Sequence, residues 1–320
     1  MDRAAILLLA QIADAVIGDP DALWRRVSHP VVWIGRIVAA LDRSWNREAD
    51  APSSRRLWGI GALVLLLLAA AGVGVLITGL AHRLGAVGWV IELGVVAIFL
   101  AQRSLHQHVA AVAEGLSRDG LAGGRAAVAM IVGRDPDSLD EAGVCRAAIE
   151  SAAENFSDGV VAPAFWYLIG GLPGLLAYKA LNTADSMIGH RTDRHEAFGW
   201  ASARLDDLAN WAPARAAAGL VVLAAWFRDD ADSQAAWRMA RRDAAHHRSP
   251  NAGWPEAAFA GALGLRLAGP RRYGETMVED AWMGDGRAEA TGEDVRRALS
   301  LLITSCAVLA GVAALLTVLA

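Results

Sequence analysis

The chain reads as long apolar stretches separated by dense polar blocks. Residues 57–81 hold no ionisable side chain, residues 84–102 hold only Glu92, and residues 298–320 run uncharged to the last residue. Crossing a hydrocarbon core about 30 Å thick takes about 20 apolar residues, whereas a buried core helix or interfacial segment accounts for about 10–14. These three stretches predict membrane spans. Residues 4–18 predict an N-terminal apolar helix. It is expected to be retained, because Met1-Asp2-Arg3 is not a basic leader and no small-residue cleavage site follows.

Two further stretches are broken. Residues 159–178 are uncharged but include Pro163, Gly170-Gly171 and Pro173-Gly174, while residues 208–227 include Pro213 and Arg215. Irregular backbone at membrane depth is tolerated where it is buried in protein or lines a wet cavity. Re-entrant helices and ordinary kinked spans are both open readings. Apolar spacing is helical throughout and no alternating strand pattern persists. The predicted fold class is all-α: a polytopic integral membrane helical protein with broken or re-entrant segments and cytoplasmic polar helices, in a single integral membrane domain over residues 1–320.

Arginine placement sets the expected orientation. Arg43, Arg47, Arg55 and Arg56 precede the first long span and Arg296-Arg297 precede the last, which places both starting ends in the cytoplasm. The polar sections 103–158 and 228–297 are then cytoplasmic. Residues 179–207 join them if 159–178 dips and returns, and the polar chemistry of that segment favours the dip.

Composition narrows the class. With 55% hydrophobic residues, 20% charged and a net charge of −4, disorder, collagen, a coiled coil and a nucleic-acid partner are excluded. Cys145 and Cys306 give neither metal spacing nor a disulfide framework. Of the 30 basic residues only Lys179 is lysine. A GC-rich genome accounts for the arginines but not for the lysine that was kept. A compact ammonium with three donors does what guanidinium cannot, so phosphate binding at Lys179 stands against a plain snorkelling anchor.

The polar blocks carry the candidate chemistry. Glu150 and Glu154 share a helix face, with Asp158 two turns on from the first. Like charges so spaced repel unless a cation lies between them. Mg²⁺, held by one or two carboxylates plus phosphate, is the usual one, and a solvated face is the alternative. Lys179, Asn182 and Ser186 share another face beside Asp185. Asp206, Asp207 and Asn210 crowd one turn where a membrane-depth stretch begins, and acids there are costly unless paired or metal-bound. Arg204 and Arg215 are partners for them or for a phosphate. His246-His247-Arg248-Ser249-Pro250-Asn251 forms a loop without a third zinc ligand, so substrate contact or gating is expected. Asp19, His29 and Arg134 lie in polar turns. P-loop, dinucleotide, H-E-x-x-H and G-x-S-x-G patterns are absent.

Taken in order from about residue 14 to residue 273, these blocks closely resemble the adenosylcobinamide-phosphate synthase family of cobalamin biosynthesis, also called CobD or CbiB. The run from His246 to Glu256 is the most specific match. The resemblance implies a multi-pass ligase of the bacterial inner membrane with its active site on the cytoplasmic side. It joins adenosylcobyric acid to (R)-1-amino-2-propanol phosphate, with ATP and Mg²⁺, to give adenosylcobinamide phosphate. The lipid bilayer surrounds it, other late cobalamin-biosynthesis enzymes are possible neighbours, and no redox cofactor or nucleic acid is expected.

On that reading Mg²⁺ belongs with Glu150, Glu154 and Asp158, or with Asp206, Asp207 and Asn210. Lys179, Arg134, Arg204 and Arg248 offset phosphate charge, and His246 or His247 is the general base. Asp185 joins the catalytic candidates, while Asn182, Asn251, His29 and Asp19 contact substrate. Two other readings stand beside it: a Mg²⁺-dependent prenyltransferase-like membrane enzyme, and a non-catalytic scaffold for late corrinoid enzymes.

Overall fold

The computed structural model describes residues 2–132, 136–273, 276–278 and 280–320. Its helices are α1 (Arg3–Val16), α2 (Asp21–Trp24), α3 (Pro30–Trp45), α4 (Pro52–Leu84), α5 (Ala86–Phe99), α6 (Gln102–Val128), α7 (Glu141–Phe156), α8 (Ala162–Ile188), α9 (Trp200–Ala209), α10 (Trp211–Trp226), α11 (Ser233–Asp243), α12 (Gly253–Leu263) and α13 (Gly292–Leu319). Among the described residues four stretches are long and apolar enough to cross a membrane: Pro52–Leu84, Ala86–Val128, Glu141–Ile188 and Gly292–Leu319. The α9–α10 pair makes a fifth if it counts as one span. The protein is an all-α polytopic membrane protein.

Strands interrupt one polar section that the sequence pattern reads as helical. β1 (Leu267–Ala268) pairs with β4 (Trp282–Met283), and β2 (Arg271–Tyr273) pairs with β3 (Thr276–Val278), both antiparallel. Each is two or three residues long, too short for an alternating pattern to register.

Two of the long helices double back on themselves. In α8, Gly171 has φ 60° and ψ −152°, a region essentially confined to glycine. A Cβ on Gly174 would lie 2.5 Å from the Trp166 carbonyl oxygen. Eight residues of straight helix would separate these positions by about 12 Å, so the chain reverses at Gly171. The carbonyls released at the break are satisfied: the Arg3 guanidinium donates to Leu168 O at 3.2 Å and Ile169 O at 2.7 Å. α6 reverses in the same way at Gly120 (φ 63°, ψ −152°), where a Cβ on Gly115 would lie 2.6 Å from Gly123 O.

The chain forms two compact units. The first comprises residues 1–100, 162–210 and 316–320. Val38, Leu63, Leu66, Leu181, Ile188 and Phe198 build its core from α3, α4, α8 and the segment after α8. Glu92, the one acid in the apolar α5, is buried and accepts a hydrogen bond from the Tyr167 hydroxyl at 2.8 Å, the pairing that an acid among apolar helices requires.

The second unit comprises residues 101–161 and 211–315. α12 lies at its centre, buried along nearly its whole length, with α7, α10 and α11 packed on it. A π-helical turn, Ser157–Val161, follows α7. Within it the Gly159 carbonyl accepts from Ala101 N at 3.1 Å, the kind of outside partner a widened helix turn leaves room for.

Candidate functional site

The polar residues singled out in the sequence gather in two centres, one in each unit. In the first unit, α8 carries Lys179, Asn182 and Asp185, and α9 carries Asp206 and Asp207. Lys179 is buried, 9% exposed. Asn210, at the end of α9, is also buried. It accepts from the Tyr178 hydroxyl at 2.9 Å and donates to Asp206 Oδ2 at 2.8 Å. Asp206 Oδ1 is buried and makes no close hydrogen bond among the described residues; Asn182 is the nearby donor for this carboxylate, and Asp185 and Asp207 face it as like charges. Arg204 is exposed and stands at the edge of the cluster, 3.9 Å from Asp207.

Asp19 and His29 belong to the same unit, and their contacts describe a cap. His29 Nδ1 accepts from Val31 N at 3.2 Å, closing the first turn of α3. Its Nε2 therefore carries the proton, donating to Ile98 O at 3.3 Å and lying 3.7 Å from Asp19 Oδ1. Burial lowers the imidazole pKa and the Lys179 charge adds to that, against the opposing pull of Asp19 and Ile98. Asp19 also accepts from the Trp24 indole at 3.1 Å.

In the second unit, the loop after α11 places His246, His247 and Arg248 on the wall of a cavity of about 160 Å³, together with Asp280. The two histidines differ in kind. His247 Nδ1 accepts from Ser249 N at 3.0 Å, so its Nε2–H faces Glu256 at 3.6 Å; the ring is a clasp that shapes the loop. His246 is 54% exposed on its side chain, with Nδ1 3.9 Å from the buried Asp243. Asp243 is held by the Arg242 guanidinium at 2.8 Å and by the Gly284 amide at 2.8 Å. Arg248 pairs with Asp280 at 2.9 Å. Asn251 is buried and accepts from Arg215 at 3.3 Å. The Arg215 guanidinium stacks on Trp211 and Trp254, 4.4 and 4.8 Å from their centroids.

The acidic face of α7 divides. Glu150 is buried and its Oε1 accepts from Ala268 N at 2.9 Å. That contact pins β1 at a non-glycine residue with φ 60°. Glu154 is exposed, and Asp158, in the π-helical turn, is half-buried. Arg134 lies outside the described residues.

Comparison with known proteins decides the family. A family model described as CobD/Cbib protein matches residues 7–302. The chain belongs to the CobD/CbiB family. The cobalamin biosynthesis protein CobD of Rhizobium meliloti (strain 1021) is 55% identical over 306 residues, covering 95% of this chain and 94% of that protein. The protein of the same name from Brucella suis biovar 1 is 50% identical over 311 residues, 97% and 95% of the two chains. That of Rhodobacter capsulatus is 49% identical over 304 residues, 94% and 93%. No solved structure matches.

For a CobD/CbiB protein the donor sets bear on Mg²⁺. Among the described residues no group of three or more His, Cys, Asp or Glu side chains could hold a metal ion. The buried Asp206 carboxylate, with an oxygen in no close hydrogen bond and Asp185 nearby, fits a different kind of site, an ion that brings its own phosphate oxygens and waters and takes one or two carboxylates from the protein.

Sequence reasoning passed over Asp243, which shows there only as an acid three residues before His246. It also passed over a buried network in the first unit. Asp42 Oδ1 accepts from Asn46 at 2.7 Å and Asp42 Oδ2 from Arg194 at 2.8 Å, while Arg55 donates to Asn46 at 2.8 Å. Asp42 and Asn46, the residue that caps the end of α3, are one turn apart, the only local sign of it.

Proposed function

We propose that this CobD/CbiB protein is an ATP-dependent amide ligase of cobalamin biosynthesis, joining a propionate of adenosylcobyric acid to (R)-1-amino-2-propanol phosphate and releasing adenosylcobinamide phosphate, ADP and phosphate. The observation that carries the reading is His246, half-exposed on a cavity wall and backed by the buried Asp243. Amide formation from a protonated amine needs a base, the role this reading gives to His246.

The chemistry follows in two steps. A propionate oxygen attacks the γ-phosphorus of ATP, ADP leaves, and an acyl phosphate forms. His246 takes a proton from the ammonium group; the amine lone pair attacks the acyl carbon and phosphate leaves with one former carboxylate oxygen. The Asp243 carboxylate, 3.9 Å away, stabilises the cation formed on the ring. In the first unit the Lys179 ammonium offsets charge on phosphate oxygens. Asp185 and Asp206 would hold Mg²⁺ there, and the ion supplies neutralisation of phosphate charge. The membrane is the bacterial inner membrane, with this chemistry on the cytoplasmic side, where ATP is found.

Purified protein incubated with adenosylcobyric acid, the amine phosphate and Mg-ATP tests the reading. A new corrinoid with the mass of the amide supports it. Substrate returned unchanged contradicts it and leaves the scaffold reading, and turnover of a prenyl diphosphate instead supports the prenyltransferase.

A further inference from the structure

A second cavity, about 460 Å³ and open, adjoins the histidine loop in the second unit; Arg242, Asp243, His246, Arg266, Trp282 and Asp285 line it. His246 lines this cleft and the smaller cavity alike. The size falls in the range of small-molecule sites, and the lining carries both signs of charge.

The charges are unevenly spent. Arg242 is committed: it binds Asp243 at 2.8 Å and Asp285 at 2.7 Å. Arg266 is not. Its Nε donates to Gly286 O at 2.9 Å and its guanidinium lies 5.7 Å from the Trp282 ring centroid. These two contacts restrain the group and its charge already bears on Asp285, while Nη1 and Nη2 have no hydrogen-bond partner among the described residues. A planar fork held in this way is suited to two oxygens of one phosphate. Asp285 is exposed and gives one oxygen, Oδ2, to Arg242. A triphosphate entering here would meet Asp285 as well as Arg266. A small ligand with a phosphate at one end and an ammonium at the other meets both favourably.

We propose that this cleft receives the amine co-substrate as a zwitterionic aminoalkyl phosphate, with Arg266 gripping the phosphate and Asp285 facing the ammonium beside His246, so that Arg266 selects the phosphorylated amine over the free amino alcohol. The inference rests on the ligase reading above. It assigns the choice of amine to one side chain outside the histidine loop.

The test compares two amines, (R)-1-amino-2-propanol phosphate and (R)-1-amino-2-propanol, on the full-length protein in detergent or nanodiscs. Apparent affinity is read as KM, or as KI against the phosphorylated amine for a compound that is not turned over. The wild type prefers the phosphorylated amine at least a hundredfold. Arg266→Gln cuts that preference at least tenfold by weakening the phosphorylated amine alone, and Arg266→Lys, which keeps the charge but loses the fork, restores only part of it. A ratio is read, so a general loss of folded protein does not imitate the effect. A wild type without preference, or an Arg266→Gln protein that weakens both amines equally or neither, overturns the assignment and leaves the ligase intact. No ATP-dependent amide from the wild type with either amine overturns the ligase reading itself, and this assignment with it.

Discussion

His246 Nδ1 lies 3.9 Å from Asp243 Oδ1, and Asp243 is 2% exposed. Burial alone would push the Asp243 carboxyl up. Hydrogen bonds from Arg242 and the Gly284 amide outweigh it and hold the group below the usual carboxylate range. At neutral pH His246 therefore faces a fixed negative charge. His246→Ala lowers kcat for amide formation about 100-fold, the scale on which a general base contributes, with the protein still folded. His247→Ala acts differently. It removes the clasp on Ser249 and lowers Tm. Steady-state kinetics and thermal melts on the two variants separate the roles, and equal kinetic losses would contradict the division.

Lys179 is the only lysine and is buried. Replacing it by Arg keeps the charge but changes its shape and hydration. Lys179→Arg is expected to lose at least 90% of ATP-dependent amide formation, measured by corrinoid chromatography. Near-full activity would show that any cation serves.

The reversal at Gly171 needs a backbone conformation that other residues adopt only under strain of about 1–3 kcal/mol. Gly171→Ala lowers unfolding stability by about that amount. Gly170→Ala is the control: nothing lies within 4 Å of its added methyl group, and its φ is not among the positive values. Thermal unfolding in one detergent compares the pair, and equal melting temperatures would contradict the reversal.

Acid should loosen the first unit through Asp42. Burial pushes this carboxyl up, but hydrogen bonds from Asn46 and Arg194 outweigh it and its pKa is lowered. A carboxylate with a lowered folded pKa contributes stability that is present above its unfolded value, near 3.9, and is lost as pH falls through the folded one. Asp42→Asn removes about 2 kcal/mol at pH 7, the scale of a hydrogen bond to a charged group, and flattens the dependence of stability on pH below about 4. An unchanged acid limb in that variant would refute the assignment.

What the sequence shows and hides follows from the distance over which each feature is built. The uncharged run 57–81 lies within α4, and the run 298–320 within α13 but for its last residue, because a span needs only local composition. The reversal at Gly120 is hidden, since hydropathy is blind to chain direction; in 159–178 the Gly170-Gly171 pair and Pro173 point to a dip but not to the residue at which the chain turns. Asp185 and Asp206 lie close together, two acids whose position beside apolar stretches already marks them in the sequence. Arg194 and Asp42 are 152 residues apart, and Glu150 meets Ala268 across 118. No periodicity reaches so far. The distinction between His246 and His247 was equally out of reach, because it depends on which ring nitrogen the Ser249 amide occupies.

The central claim is that a propionate is activated by phosphoryl transfer and then captured by an amine. Adenosylcobyric acid labelled with ¹⁸O in that carboxylate, turned over with the amine phosphate and unlabelled Mg-ATP, tests it in a single mass spectrum of the phosphate-containing products. An acyl phosphate route delivers one ¹⁸O to inorganic phosphate, with ADP as the nucleotide product. Label in AMP, or amide formed with no label in any phosphate product, would contradict it.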